Sequence, residues 1–173
     1  RGVTVAMAPP MFEVTKASEE GVGWTLRLIP LSGTGSIVHE ATVSVPFGGA
    51  GTKLNAGLTP DYSGYEYSMG NQNPLITNNL LYTHSAASNY VGVGMSYEIG
   101  DWTAKWMIGQ VDRVATRKVP GFAYRADYSI SEYSGIGFSG VHVRTNANAA
   151  GANTDLLEID AYHTRGDLTL QGQ

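Results

Sequence analysis

Two acidic residues, Glu158 and Asp160, stand two positions apart in a stretch that alternates between apolar and polar residues. A pair of carboxylates is the catalytic apparatus of most glycoside hydrolases, with one group as acid and the other as base or nucleophile. Residues two apart in a β-strand share a face, so the pair is explained more simply as two polar residues of a wetted strand. The chain also lacks the Gly-x-Ser-x-Gly elbow of serine hydrolases. We therefore expect no catalytic residues and no enzymatic activity.

Residues suited to metal or phosphate binding are scattered along the chain. None of the four histidines, His39, His84, His142 and His163, stands at metal-ligand spacing from another. The absence of cysteine excludes disulfides and Cys-based metal sites. Residues 48–53 are rich in glycine but lack the Gly-Lys-Ser/Thr ending of a phosphate loop. We expect no metal and no cofactor, and the net charge of −4 provides no broad basic surface for nucleic acid.

The elements that position these residues are β-strands, because apolar residues recur at every second position. Successive side chains of a strand point to opposite faces, so a period of two predicts one apolar and one charged face. The apolar set is Val91, Val93, Met95, Tyr97, Ile99, Trp102, Ala104, Trp106, Ile108, Phe122, Tyr124, Ala126, Tyr128, Ile130, Leu157, Ile159 and Ala161. We predict strands at 3–8, 11–16, 24–31, 36–46, 52–59, 90–99, 102–111, 122–130, 134–144, 155–163 and 168–172. Within 134–144, Ile136 and Phe138 have the opposite parity to Val141 and Val143, which predicts a β-bulge between them.

The connections between these strands alternate in length. Short turns alternate with longer segments, the turns at 48–51, 100–101, 131–132 and 165–167 and the segments at 60–89, 112–121 and 145–154. Outer-membrane barrels sort their connections this way, with turns in the periplasm and loops outside. No stretch approaches the roughly 18 apolar residues of a transmembrane helix, whereas a barrel strand crosses with about 9–11 residues. The pattern predicts an all-β, antiparallel, up-and-down transmembrane β-barrel.

In such a barrel the charged face lines a water-filled lumen. The predicted pore-lining residues are Arg27, Glu40, Lys53, Glu98, Lys105, Arg125, Asp127, Glu158 and Asp160. Their charges of both signs form either a transverse field that selects solutes by charge or a network of salt bridges that fills space. Aromatic residues near strand ends predict girdles at the membrane interfaces, although ordinary cross-strand packing would use the same residues. The predicted girdle residues are Trp24, Tyr97, Trp102, Phe122, Tyr128 and Tyr133.

Several short motifs carry a resemblance to a known family. They are Gly57-Leu58-Thr59-Pro60, Gly64-Tyr65-Glu66, Asn73-Pro74, Tyr97-Glu98-Ile99-Gly100-Asp101-Trp102 and Tyr162-His163-Thr164-Arg165-Gly166-Asp167-Leu168-Thr169-Leu170. Over about residues 36–173 this pattern resembles the β-barrel porin-2 family of Gram-negative outer membranes. The resemblance implies a trimeric porin of roughly 16 strands that closes with an aromatic residue. This chain has fewer predicted strands and ends in Gln173, so we expect one barrel domain over residues 1–173, incomplete at both ends.

The segment 60–89 is the longest stretch without strand periodicity, at about 30 residues against about 4–6 for an ordinary loop. In porins such a loop can fold into the lumen and narrow it, and the resemblance implies this role here. The predicted constriction residues are Asp61, Tyr65, Glu66, Asn71, Gln72, Asn73 and Asn78. An extracellular surface loop is the alternative.

The sequence thus predicts a porin in the outer membrane of a Gram-negative bacterium. It would allow passive diffusion of small hydrophilic solutes or ions, with outer-membrane lipid as its surroundings and a homotrimer implied by the resemblance. One alternative is a non-conducting structural barrel that sheathes or docks a partner. Another is a soluble β-sandwich that binds carbohydrate through surface aromatics. The sandwich and the barrel differ in where the apolar face points, toward a second sheet or toward hydrocarbon.

Overall fold

The computed structural model of the chain describes residues 3–8, 11–18, 21–29, 37–49, 51–60, 62, 89–111, 120–144 and 153–172. Within these ranges the secondary structure is all-β. The strands are β1 (Val3–Ala8), β2 (Met11–Lys16), β3 (Gly23–Leu28), β4 (Val38–Pro46), β5 (Thr52–Pro60), β6 (Asn89–Ile99), β7 (Trp102–Val111), β8 (Gly121–Ser131), β9 (Ser134–Arg144), β10 (Asn153–Arg165) and β11 (Leu168–Gly172). No helix in the described part of the chain has the length and apolar character needed to cross a bilayer.

The strands form one sheet in the order in which they occur along the chain. Every neighbouring pair is antiparallel. Among the described residues β1 and β11 each pair with a single strand, so the sheet is open at both edges. The prediction of an all-β, antiparallel, up-and-down arrangement is confirmed.

The connections are sorted between the two ends of the sheet. One end, the long-loop end, has connections at 9–10, 29–37, 61–88, 112–120 and 145–152. The other, the short-turn end, has connections at 17–22, 47–51, 100–101, 132–133 and 166–167. Apart from 9–10, each connection at the long-loop end is longer than any at the short-turn end. Glycine suits two of the tight turns at the short-turn end. Gly100 and Gly166 have φ of 59° and 58°, in the left-handed region that other residues rarely adopt.

The two faces of the sheet have the reverse of the exposure expected in a soluble protein. Large apolar side chains are exposed in mid-strand, with Ile159 at 70% and Val93 at 61% of full exposure. On the other face, Asp160 is 4% exposed. Side chains two strands apart also meet on this charged face, where the Thr59 hydroxyl lies 3.4 Å from the sulfur of Met107. The sheet therefore curves around its charged face and presents its apolar face outward.

The predicted bulge within 134–144 is wrong. β9 pairs without interruption with β10 from Ser134 to Arg144. The register shifts elsewhere, between Arg27 and Leu28 of β3 against β4 and between Ser129 and Ser131 of β8 against β9. β9 needs no bulge because Val141 belongs on the charged face, where it is buried.

The best-buried apolar residues form a small cluster on the charged face. Its members are Tyr62, Tyr90, Met107, Ala123 and Val141, with Leu156 packed against them. The strand pairings explain the cluster, because Met107, Ala123, Val141 and Leu156 are successive cross-strand partners. The face that alternation marks as charged thus contains one apolar layer.

Candidate functional site

Strand register divides the charged face of β5–β10 into rows of cross-strand neighbours. The basic row is Lys53, Ser96, Lys105, Arg125, Ser139 and Glu158. The acidic row, one step closer to the short-turn end, is Glu98, Thr103, Asp127, Gly137 and Asp160. The apolar row, one step toward the long-loop end, is Asn55, Gly94, Met107, Ala123, Val141 and Leu156. Two rows of opposite charge therefore lie side by side.

Arg125 joins the basic row to the acidic row. Its Nη1 lies 2.8 Å from Asp160 Oδ2 and its Nη2 donates to Asp160 Oδ1 at 3.0 Å. Its Nε donates to Asp127 Oδ2 at 3.0 Å, and Nη2 lies 2.6 Å from Asp127 Oδ1. The planar guanidinium suits this arrangement, because its donors match two carboxylates in the plane of the fork. Arg125 is fixed in one position with most of its donors satisfied.

Gly137 allows the Arg125–Asp160 pair to close. It lies between Asp127 and Asp160 in the acidic row. A Cβ atom at this position would meet the Arg125 guanidinium, and it would lie within 2.8 Å of both Asp160 carboxylate oxygens. The ion pair therefore occupies the space that a side chain would fill.

We expect Gly137→Ala to lower the free energy of unfolding by about 1–3 kcal/mol, the usual cost of forcing extra atoms into a packed site. Gly172→Ala is the matched control, since a Cβ atom there meets nothing within 4 Å. Chemical unfolding of both variants, followed by tryptophan fluorescence, measures the difference. Equal stability of the two variants would contradict this account of Gly137.

A second ion cluster crosses β2, β3 and β4. Glu13, Arg27 and Glu40 are direct cross-strand neighbours. Arg27 Nη2 lies 2.7 Å from Glu13 Oε2, and Arg27 Nη1 lies 3.2 Å from Glu40 Oε2. Two carboxylates share one guanidinium, so the cluster has an excess of one negative charge when both are ionised.

Tyr62 is the one described residue of the long connection at 61–88, and it packs on the charged face. Lys105 Nζ lies 4.5 Å from the centre of its ring, within cation–π range. Its ring centre is 6.1 Å from that of Tyr90. Burial raises the pKa of the Tyr62 phenol, a hydrogen bond with Thr59 opposes the rise, and the charge of Glu40 adds to it. Tyr62 therefore lies against the charged face two residues after the end of β5.

The nine predicted pore-lining residues all lie on the charged face, in positions set by the register. The structure brings Arg125, Asp127 and Asp160 into one cluster, Arg27 and Glu40 into another, and Lys53 to 3.5 Å from Glu98. Sequence reasoning missed Glu13 and Tyr62. The parity of Glu13 within β2 would have indicated its face, whereas an aromatic residue two positions after a strand gives no comparable signal. All the predicted constriction residues, Asp61, Tyr65, Glu66, Asn71, Gln72, Asn73 and Asn78, lie outside the described residues.

The predicted girdle residues lie near both ends of the sheet. Trp102 and Tyr128, cross-strand partners near the short-turn end, have ring centres 4.7 Å apart. Tyr133 lies in the 132–133 turn itself. Trp24 and Tyr97 also lie toward the short-turn end, and Phe122 lies toward the long-loop end.

A further aromatic ladder, not predicted from the sequence, runs across the apolar face of β7, β8 and β9. Its ring centres are 5.5–6.4 Å apart, through Trp106, Phe122, Tyr124 and Phe138. Its members are predicted strand residues, but only the register brings them side by side. The ladder adds apolar area to the exposed face of the sheet.

Within the ranges the structure describes, no group of three or more His, Cys, Asp and Glu residues could hold a metal ion. Searches of the curated proteins and of the solved structures give no match. The model of one family, described as "Protein of unknown function (DUF3138)", matches residues 2–116, which contain β1–β7 with Tyr62 and Lys105. The resemblance to β-barrel porins stays a prediction. Because the match spans more than half of the chain, the protein belongs to the DUF3138 family.

Proposed function

We propose that this sheet forms part of the wall of a transmembrane β-barrel in the outer membrane of a Gram-negative bacterium. The observation that carries the proposal is the inverted polarity of the sheet. Exposed mid-strand residues such as Ile159 and Val93 lie on one face, and the ion pairs of Arg125 lie on the other. Hydrocarbon stabilises an exposed apolar face, whereas water does not.

The soluble sandwich fits this polarity poorly. Two packed sheets lie about 10 Å apart and bury the apolar residues between them. None of the described residues forms a second layer over the apolar face, and all the described strands belong to one sheet. Arg125 and Asp160, which a sandwich would leave in bulk solvent, are instead buried.

The function we propose is passive diffusion of small hydrophilic solutes or ions along the charged face, without a chemical step or a cofactor. Charged side chains of both signs lining a path bias which solutes enter. The sorted connections are consistent with short turns in the periplasm and long loops outside. A homotrimer is implied by the porin resemblance alone.

A non-conducting structural barrel is the second candidate, and one observation favours it. The apolar row lies within the charged face, and Met107 in that row is only 1% exposed. A layer of packed apolar side chains across a lumen would block water at that depth, as it does in small filled barrels. The two candidates therefore differ in conductance and agree on membrane insertion.

Reconstitution of the full-length protein tests both candidates. In planar bilayers we expect discrete conductance steps in KCl. If the protein inserts into phospholipid vesicles but carries no current, the structural barrel is the better account and the porin proposal is wrong. A protein that stays monomeric and folded in buffer without detergent or lipid would overturn the membrane assignment altogether.

A further inference from the structure

We infer that the path along the charged face favours small monovalent cations such as K⁺ over anions. The inference rests on the proposed function and adds the sign of the charge that it selects. The selection would come from the electrostatic field of the charged side chains, because a lining of one dominant sign raises the local concentration of ions of the opposite sign.

The first line of evidence is the exposure of the ion pairs. In the pair of Lys53 and Glu98, the basic side chain is 27% exposed and the carboxylate 59%. In the pair of Arg125 and Asp127, the values are 10% and 40%. In both pairs the acidic side chain is the more accessible member to a passing solute, whereas Asp160 and Glu40 are less exposed than the arginines they pair with.

The second line of evidence is the balance of charge. Six carboxylates stand against four basic groups on the charged face of the described strands, Glu13, Glu40, Glu98, Asp127, Glu158 and Asp160 against Arg27, Lys53, Lys105 and Arg125. One of the four basic groups, the ammonium of Lys105, also lies against the ring of Tyr62. The described part of this face is therefore net negative.

The short-turn end adds negative charge at the mouth of the path. Each of its three two-residue turns, at 100–101, 132–133 and 166–167, contains one exposed acid, namely Asp101, Glu132 or Asp167. The exposed bases near this end, Lys16 and Arg165, stand in register with Trp24 and Leu168 of the apolar face. Among the described residues of the short-turn end, exposed acids thus outnumber exposed bases.

The test is the permeability ratio of K⁺ to Cl⁻, obtained from the reversal potential of the full-length protein in planar bilayers under a KCl gradient. We expect a ratio above one, up to about ten-fold, the low end of the concentration increase that such fields produce. The double variant Glu98→Gln, Asp127→Asn removes the two most exposed carboxylates of the acidic row. Its ratio should fall toward one, and Arg125 keeps Asp160 as a partner.

Asp155→Asn is the matched control, because this exposed carboxylate pairs with His142 in a row of the apolar face. It should leave the ratio unchanged. A parent ratio of one or below would overturn the cation preference while the channel stands. An equal loss in the control, or a ratio that the double variant does not lower, would overturn the role of the acidic row. Absence of any current would overturn the channel and this inference with it.

Discussion

Replacing Arg125 by methionine is expected to lower the free energy of unfolding by about 3–5 kcal/mol, because it leaves a buried carboxylate without its cation. Asp160 is 4% exposed and directs both of its oxygens at the guanidinium. Asp127 loses the same partner, but its greater exposure lets water replace part of the contact. Urea unfolding from phospholipid vesicles, followed by tryptophan fluorescence, measures the loss.

Two further variants distinguish the effect of breaking the buried ion pair from the effect of removing a charge at any position. Lys53→Met breaks the exposed pair with Glu98 and should cost less than about 1 kcal/mol. The double variant Arg125→Met, Asp160→Leu removes both buried charges, and it should be more stable than Arg125→Met alone. A loss below about 1 kcal/mol in Arg125→Met would show that this cluster is hydrated and adds little to stability.

Replacing Ile159 by arginine tests which solvent faces the apolar side of the sheet. Ile159 lies in the middle of β10 and is exposed. In lipid, an arginine at mid-depth costs about 2–4 kcal/mol. In water, a substitution at an exposed site away from special features stays within about 0.5 kcal/mol. We expect the larger loss, measured as the free energy of unfolding from phospholipid vesicles.

Ile99→Arg is the matched control, because Ile99 is exposed on the same face, stands in register with Trp102 and is the last residue of β6. Near a membrane interface the cost of arginine falls to about 0–1 kcal/mol. A difference between the two isoleucines therefore reports depth within a bilayer. Equal, small losses at both positions would mean that the apolar face meets water or another protein surface.

The strands could be predicted from the sequence because alternation is a local property. A strand places neighbours on opposite faces whatever lies beside it, so a period of two marks both the element and its faces. The predicted bounds of β7 and β9 agree with the structure, Trp102–Val111 and Ser134–Arg144. β3 ends at Leu28, one residue after its register against β4 shifts, and residues 30–31 of the predicted strand lie outside the described residues.

The grouping of charges could not be predicted, because it depends on strands distant in sequence. Arg125 and Asp160 are 35 residues apart and lie on strands separated by β9. Only the register of three strands brings them together over Gly137. The false bulge in β9 has the same origin, since Val141 looks misplaced until its neighbours Ala123 and Leu156 are known.

The sequence by itself determined that this protein is a meander of antiparallel strands with one predominantly apolar face, since that information repeats every two residues. The tertiary structure decided which face is buried and how the charged face is layered into acidic, basic and apolar rows. Both follow from the curvature of the sheet and the pairing register, which depend on contacts between strands and cannot be inferred from the sequence of any single strand.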